Sequence, residues 1–218
     1  MTGRQRFEGK LSEVESLIVE MAKGTKQQLA DAVHALYEIN VEKAEEIVKN
    51  DELLDKLDRK INERAIVLLA REQPVATDLR RLVVAIRIAT DLERMADNAK
   101  NIAKATIRLG KDHGLEIHPS IDDMRAIAED MIVLAIKAYE NEDITLARRL
   151  GEKDTQLDQI YSHMMTDLLS DRSANDQMTQ HMIQMAFSGR YVERIGDHAT
   201  NIGEDVMYLV KGETFDLN

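Results

Sequence analysis

Two blocks a hundred residues apart are nearly the same. Glu93–Ala103 reads ERMADNAKNIA and Glu193–Gly203 reads ERIGDHATNIG, with six of eleven positions identical and Met/Ile and Ala/Gly exchanges among the rest. Upstream the offset becomes 103. Asp51, Leu54 and Asp55 correspond to Asp154, Leu157 and Asp158, and Ala35 and Ala44 correspond to Ala138 and Ala147. Self-similarity at a fixed spacing marks a repeated structural unit. The three-residue change in offset implies a shorter connection late in the second copy. Whatever this chain folds into must therefore be built twice from one plan.

The plan is helical. Ala, Leu, Ile, Met, Glu, Lys and Arg dominate, and only two prolines, ten glycines and 4% aromatic residues stand against helix formation. Phe7, Leu11, Val14, Ile18, Met21, Thr25, Leu29, Ala32 and Leu36 step by three and four, which predicts one amphipathic helix over 8–39. Asn40 is a fitting N-cap for a second helix reaching about Arg71, and Pro74 separates it from a third over 75–109. Gly110–Pro119 is the stretch richest in breakers and falls at mid-chain. Three more helices follow, over 120–141, 143–170 with Asp143 as N-cap, and 176–211, with a polar turn SDRSAND before the last. The predicted fold is all-α: a tandem repeat of two antiparallel three-helix bundles, residues 1–110 and 120–218, joined by a linker over 111–119.

Charge and composition exclude several functions. The 29 Lys and Arg against 40 Asp and Glu give a net charge of −11, the wrong sign for nucleic acid or for anionic lipid. The longest apolar runs, such as Ala65–Ala70, are far short of the roughly twenty residues a membrane span needs. With no apolar leader and no cysteine, a cytoplasmic location is expected. The missing cysteines also remove thiolate catalysis and Cys-ligated metals. No P-loop, GxGxxG, HExxH or GxSxG motif occurs, and no nucleophile–base pair can be nominated. The expectation is a protein that is not an enzyme.

The candidate site lies in acids at core-like positions. Residues four apart on a helix lie nearly in line. On the third predicted helix the apolar stripe Leu79, Leu82, Val83, Ile86, Ala89 runs on into Glu93 and Asp97. On the sixth, Met178, Met182, Ile183 and Ala186 lead to Glu193 and Asp197. The second helix carries Asp51, Asp55 and Asp58 beside Leu54 and Leu57, and the fifth carries Asp154 and Asp158 beside Leu157 and Ile160. If these seams face each other, four carboxylates converge in each unit. Buried carboxylates need a partner: a cation, an Arg such as Arg80, Arg81 or Arg87, or a wet edge. An oxygen-only cluster suits Mg, Mn or Fe(II). For one Asp-x-x-x-Asp a solvated acidic face would be the simpler explanation. Four such pairs, duplicated beside apolar stripes, favour cation binding. His198 replaces Asn98 and points about 140° from Glu193, which assigns it to a surface or interface. His113 and His118 in the linker are weak metal candidates, and the methionines at helical spacing are core filler. No His has Glu three residues before it, so the Glu-x-x-His pattern of di-iron bundles is absent.

Through Gln73–Ala103 (QPVATDLRRLVVAIRIATDLERMADNAKNIA) and Tyr191–Glu204 (YVERIGDHATNIGE) the sequence resembles the PhoU family of bacterial phosphate-uptake regulators. The resemblance covers both halves. It implies two three-helix bundles with metal ions or clusters (Fe, Mn, Mg or Zn, divalent or trivalent) on Glu/Asp-x-x-x-Asp motifs. Here those are Asp51/Asp55 with Glu93/Asp97, and Asp154/Asp158 with Glu193/Asp197. It further implies a negative regulator of phosphate uptake and of the phosphate-starvation response, linking the phosphate ABC transporter's ATPase subunit to a sensor histidine kinase. The alternative is a metal-dependent hydrolase or oxidase using the same carboxylates. A third reading is a plain structural bundle with solvated acids. Residual apolar edges on such a bundle allow a homodimer, although no residue nominates it.

Overall fold

The computed structural model describes residues 3–111, 116–170 and 176–217. Among them are seven helical stretches and no strand: α1 (Gly3–Tyr37), α2 (Val41–Asn50), α3 (Glu52–Glu72), α4 (Ala76–Leu109), α5 (Ser120–Asn141), α6 (Ile144–Ser170) and α7 (Asp176–Lys211). The fold is the expected tandem of helical bundles, α1 to α4 forming one and α5 to α7 the other. The polar turn after Ser170 and the middle of the predicted linker, including His113, lie outside the described residues.

Local chemistry sets the ends. The Asn40 side chain accepts the Lys43 N–H at 3.0 Å and caps α2. Asp143 Oδ1 accepts from Thr145 N at 2.7 Å and Leu146 N at 3.2 Å and opens α6. Gln73 and Glu142 close α3 and α5 in the left-handed conformation. The helix expected over 40–71 is in fact two stretches meeting at Asp51. Asp51 keeps right-handed helical dihedrals (φ −53, ψ −31), but its carbonyl is shared between Leu54 N at 2.9 Å and Asp55 N at 3.3 Å, a locally tightened turn. Asp51 lies on the inner face, where it is 4% exposed.

The centre of the molecule is the pair α4 and α7. They run antiparallel. Arg80 donates to Leu209 O, Arg87 pairs with Asp205, and Asp91 meets His198 and Asn201, so residue numbers climb on one helix as they fall on the other. That register converges on the equivalent residues Met95 and Ile195, both fully buried. α1 and α5 pair in the same antiparallel sense, with Lys26 facing Glu129 and the Tyr37 hydroxyl donating to His118 O at 2.7 Å. The duplicated units are thus related by an approximate two-fold, and α4 and α7 are buried on nearly every side. Leu79 and Ile183, placed on the inner stripes by the sequence, are 42% and 44% exposed; around Ile183 it is His181 and Met185 that turn inward, at 3% and 6%. Among the described residues no helix is long and apolar enough to cross a membrane.

Candidate metal centre

Each repeat brings its predicted acids together, and the two assemblies are unequal. In the first, α4 presents Glu93 and Asp97 to the α2–α3 junction. Asp51 lies innermost and is fully partnered: Gln28 Nε2 of α1 donates to Oδ1 at 2.8 Å, and Lys100 Nζ donates to Oδ2 at 2.5 Å. Lys100 also donates to Asp97. Burial works to lower the Lys100 pKa, but the bonds to Asp51 and Asp97 outweigh it and the net effect is a rise, so the ammonium is firmly charged. Glu93 lies half-buried, and its acidity is weakened by burial first and then by Asp97, Asp55 and Asp58. Asp58 is a neighbour of the site and accepts from Asn62 at 2.8 Å.

In the second repeat α7 presents Glu193 and Asp197 to α6, which supplies Asp154 and Asp158. Asp154 and Glu193 are buried (6% and 7% exposed), Asp197 is half-buried and Asp158 is exposed. Among the described residues no lysine or arginine bridges the two walls here as Lys100 does in the first repeat. The equivalent residue, Thr200, donates to the backbone carbonyl of Asp197 instead. Gln28 is matched at the offset of 103 by Met131, which cannot donate. Asp154 Oδ1 is consequently buried without a hydrogen-bond partner, and Glu193 Oε2 is buried without one as well. Arg190, one turn before Glu193, binds its other oxygen from a half-exposed position. Burial followed by repulsion from Asp158 and Asp197 pushes Asp154 up to about 6. Burial and Asp197 push Glu193 up to about 7, with Arg190 opposing. Helix α7 approaches α6 closely here. A Cβ on Gly196 would stand 2.4 Å from Leu157 Cδ2 and 3.1 Å from Asp154 Oδ1.

All eight predicted residues therefore fall in two quartets, one per repeat. No three His, Asp or Glu side chains among the described residues are gathered closely enough to close on a single ion. The donor set fits a hard or borderline cation: oxygen only, one buried pole, one exposed pole, and in the second quartet two unsatisfied oxygens.

Other predicted partners go elsewhere. Arg80, Arg81 and Arg87, considered as neutralising groups, bind Leu209 O, Glu142 and Asp205. Of the two places expected for His198, surface or interface, it takes the interface. It is 7% exposed, with Nδ1 at 2.9 Å from Asp91 Oδ1, and it joins the two repeats. His118 lies against Asp167 at 3.6 Å, which belongs to neither quartet. A cavity of about 570 Å³, walled by Glu15, Arg81, Tyr139 and Glu142 among others, touches none of the eight carboxylates. Sequence reasoning missed Lys100 and Gln28. Lys100 was detectable, since it lies three residues after Asp97 and thus on its face. Gln28 comes from another helix and left no local signal.

Comparison with known proteins gives one answer throughout. The family model described as PhoU domain matches residues 18–106 and again 121–206. A phosphate-specific transport system accessory protein PhoU homolog of Clostridium acetobutylicum is 34% identical over 216 residues, 99% of each chain. One of the same description from Aquifex aeolicus is 34% identical over 203 residues, 93% of this chain and 92% of the other. Among solved structures, PhoU from Pseudomonas aeruginosa superposes with a TM-score of 0.88 at 29% identity, covering 95% of this chain and all of that one. The phosphate transport system regulatory protein PhoU from Streptococcus pneumoniae gives 0.89 at 26% identity, over 97% of this chain and all of the other.

Proposed function

The chain belongs to the PhoU family, and from that premise we propose that it is a regulatory accessory of phosphate transport, a non-catalytic adaptor that holds phosphate uptake and the starvation response down when phosphate is ample. The observation that carries this reading is likeness along the whole chain to proteins named as accessory and regulatory components of phosphate transport. Its partners on this reading are the ATPase subunit of the phosphate ABC transporter and the cytoplasmic part of a sensor histidine kinase, which places it in the cytoplasm.

The carboxylate quartets are the sensing or structural elements of that adaptor. Asp51, Asp55, Glu93 and Asp97 form one seat, and Asp154, Asp158, Glu193 and Asp197 the other. A bound divalent or trivalent metal would supply positive charge and a coordination position open to an anion. The protein's own residues place the oxygens: α4 and α7 hold the Glu and Asp one turn apart, and α2–α3 and α6 hold the facing pair. The buried pole keeps water from Asp51 and Asp154, while the exposed pole leaves a path for entry. With a net charge of −11 and no cation, these faces repel free phosphate, so any phosphate effect runs through bound metal or through the partners.

The test is alkaline phosphatase output in phosphate-rich medium, in a bacterium lacking its own regulator of this family and supplied with this chain together with its cognate ATPase subunit and kinase. Output well below the empty-vector control supports negative regulation. Output equal to that control, with the chain shown to be folded, overturns it.

A further inference from the structure

We infer that Lys100 is a tethered internal cation that fills the first carboxylate seat, so that exchangeable metal loads only the second, at Asp154, Asp158, Glu193 and Asp197. The inference rests on the metal reading above and narrows it. Four observations carry it. Lys100 Nζ sits between Asp51 and Asp97, on opposite walls of the first seat, and its side chain is 20% exposed. Both oxygens of Asp51 are satisfied from within the chain, one by Lys100 and one by Gln28. Both of those partners are gone from the second repeat, where Thr200 and Met131 occupy the equivalent positions. The buried Asp154 Oδ1 and Glu193 Oε2 have no partner, and an added Cβ at Gly196 would touch both Asp154 Oδ1 and Met131 Cε, so the apolar methionine indeed stands where the glutamine would.

The chemistry follows from charge and tethering. To load the first seat, a dication must enter the space held by an ammonium or drive that ammonium out of two hydrogen-bonded ion pairs into water. The lysine is covalently attached three residues from Asp97 and cannot be diluted away, whereas a metal ion must compete from solution. In the second seat an entering cation meets two buried oxygens without a partner, Asp154 Oδ1 and Glu193 Oε2, while Arg190 holds the other Glu193 oxygen from a half-exposed side chain and does not reach across to Asp154. The duplicated fold thus carries two seats of one design, one closed by its own side chain and one open.

The experiment is metal stoichiometry on the full chain, tag-free and chelator-treated, equilibrated with Mn²⁺, passed through a desalting column and measured by elemental analysis. Far-UV circular dichroism accompanies each variant. The wild type is expected to hold a fixed amount of Mn²⁺ that Asp154→Asn removes and Asp51→Asn leaves unchanged. Lys100→Thr, which installs the second repeat's residue, is expected to raise the amount about twofold, and the added portion is lost again on Asp51→Asn in that background. Should Lys100→Thr lose its fold, the Asp51→Asn and Asp154→Asn pair still decides the matter. Equal losses from those two variants would overturn the closed seat while leaving the metal reading in place. No Mn²⁺ on the wild type or on folded Lys100→Thr would overturn both.

Discussion

Acidifying the metal-free protein should make it more stable, with the excess traceable to two residues. Asp154 is displaced from 3.8 to about 6, and Glu193 from 4.5 to about 7. Both are carboxyls whose folded pKa lies above the unfolded value, so the folded chain binds these protons more tightly than the unfolded chain does. Above about pH 8 both groups are ionised in both states, and the full cost of their burial weighs on the fold. As pH falls from about 8 towards 4 the folded chain takes up protons first, and stability rises. Below about pH 4 both states are protonated and the gain is complete. One pKa step corresponds to about 1.4 kcal/mol, so each residue taken alone accounts for about 3 kcal/mol. The repulsion with Asp197 and Asp158 is shared between the two, and the exposed end of the seat admits solvent that screens it, which brings the joint effect to about 2–4 kcal/mol. The assay is urea unfolding followed by far-UV circular dichroism, in chelator, from pH 8 to pH 5. A net charge of −11 also relaxes on acidification, so the control is Asp154→Asn with Glu193→Gln. The wild type should gain about 2–4 kcal/mol more than the double variant over this range, and adding Mn²⁺ at pH 8 should recover part of the difference. Parallel pH profiles for the two proteins would refute the reasoning.

Other substitutions test the remaining geometry by the same unfolding measurement. Lys100→Met leaves the buried Asp51 carboxylate with Gln28 alone and should cost about 3–5 kcal/mol near pH 7.5, the cost of stranding one partner of a buried ion pair. Gly196→Ala pushes a methyl group against Leu157 and Asp154 and should cost about 1–3 kcal/mol. His198→Ala removes the 2.9 Å contact to the buried Asp91 and should cost about 1–3 kcal/mol; an unchanged urea midpoint would mean that this contact does not help hold the repeats together.

Periodicity and caps were enough to place most helices in advance. The predicted 120–141 and 176–211 coincide with α5 and α7, and 75–109 misses α4 by one residue. Asn40 and Asp143 cap as their side chains dictate. The boundary at Asp51 was hidden because neither glycine nor proline marks it and its dihedrals remain helical. Helix α1 begins at Gly3 rather than residue 8, in a segment where Arg4 pairs with Asp78 of α4, a contact 74 residues away that no local pattern carries. The eight acids were legible because a stripe of apolar residues that ends in carboxylates is anomalous on a single helix. What those acids bind within the chain was less so. Asp51 draws partners from α1 and α4, and His198 reaches across to the other repeat, so each depends on a packing arrangement that only the folded chain defines.

The tandem arrangement has a consequence for heredity. Were the two bundles separate copies of one polypeptide related by a true two-fold, any substitution would appear at both carboxylate seats together, and a lysine that filled one would fill both. Joining the copies in one chain breaks that lockstep. Position 100 can become Lys while position 200 stays Thr, and position 28 can be Gln while position 131 is Met. The common scaffold is kept by the packing that both halves need, and the two seats are left to diverge by one mutation at a time.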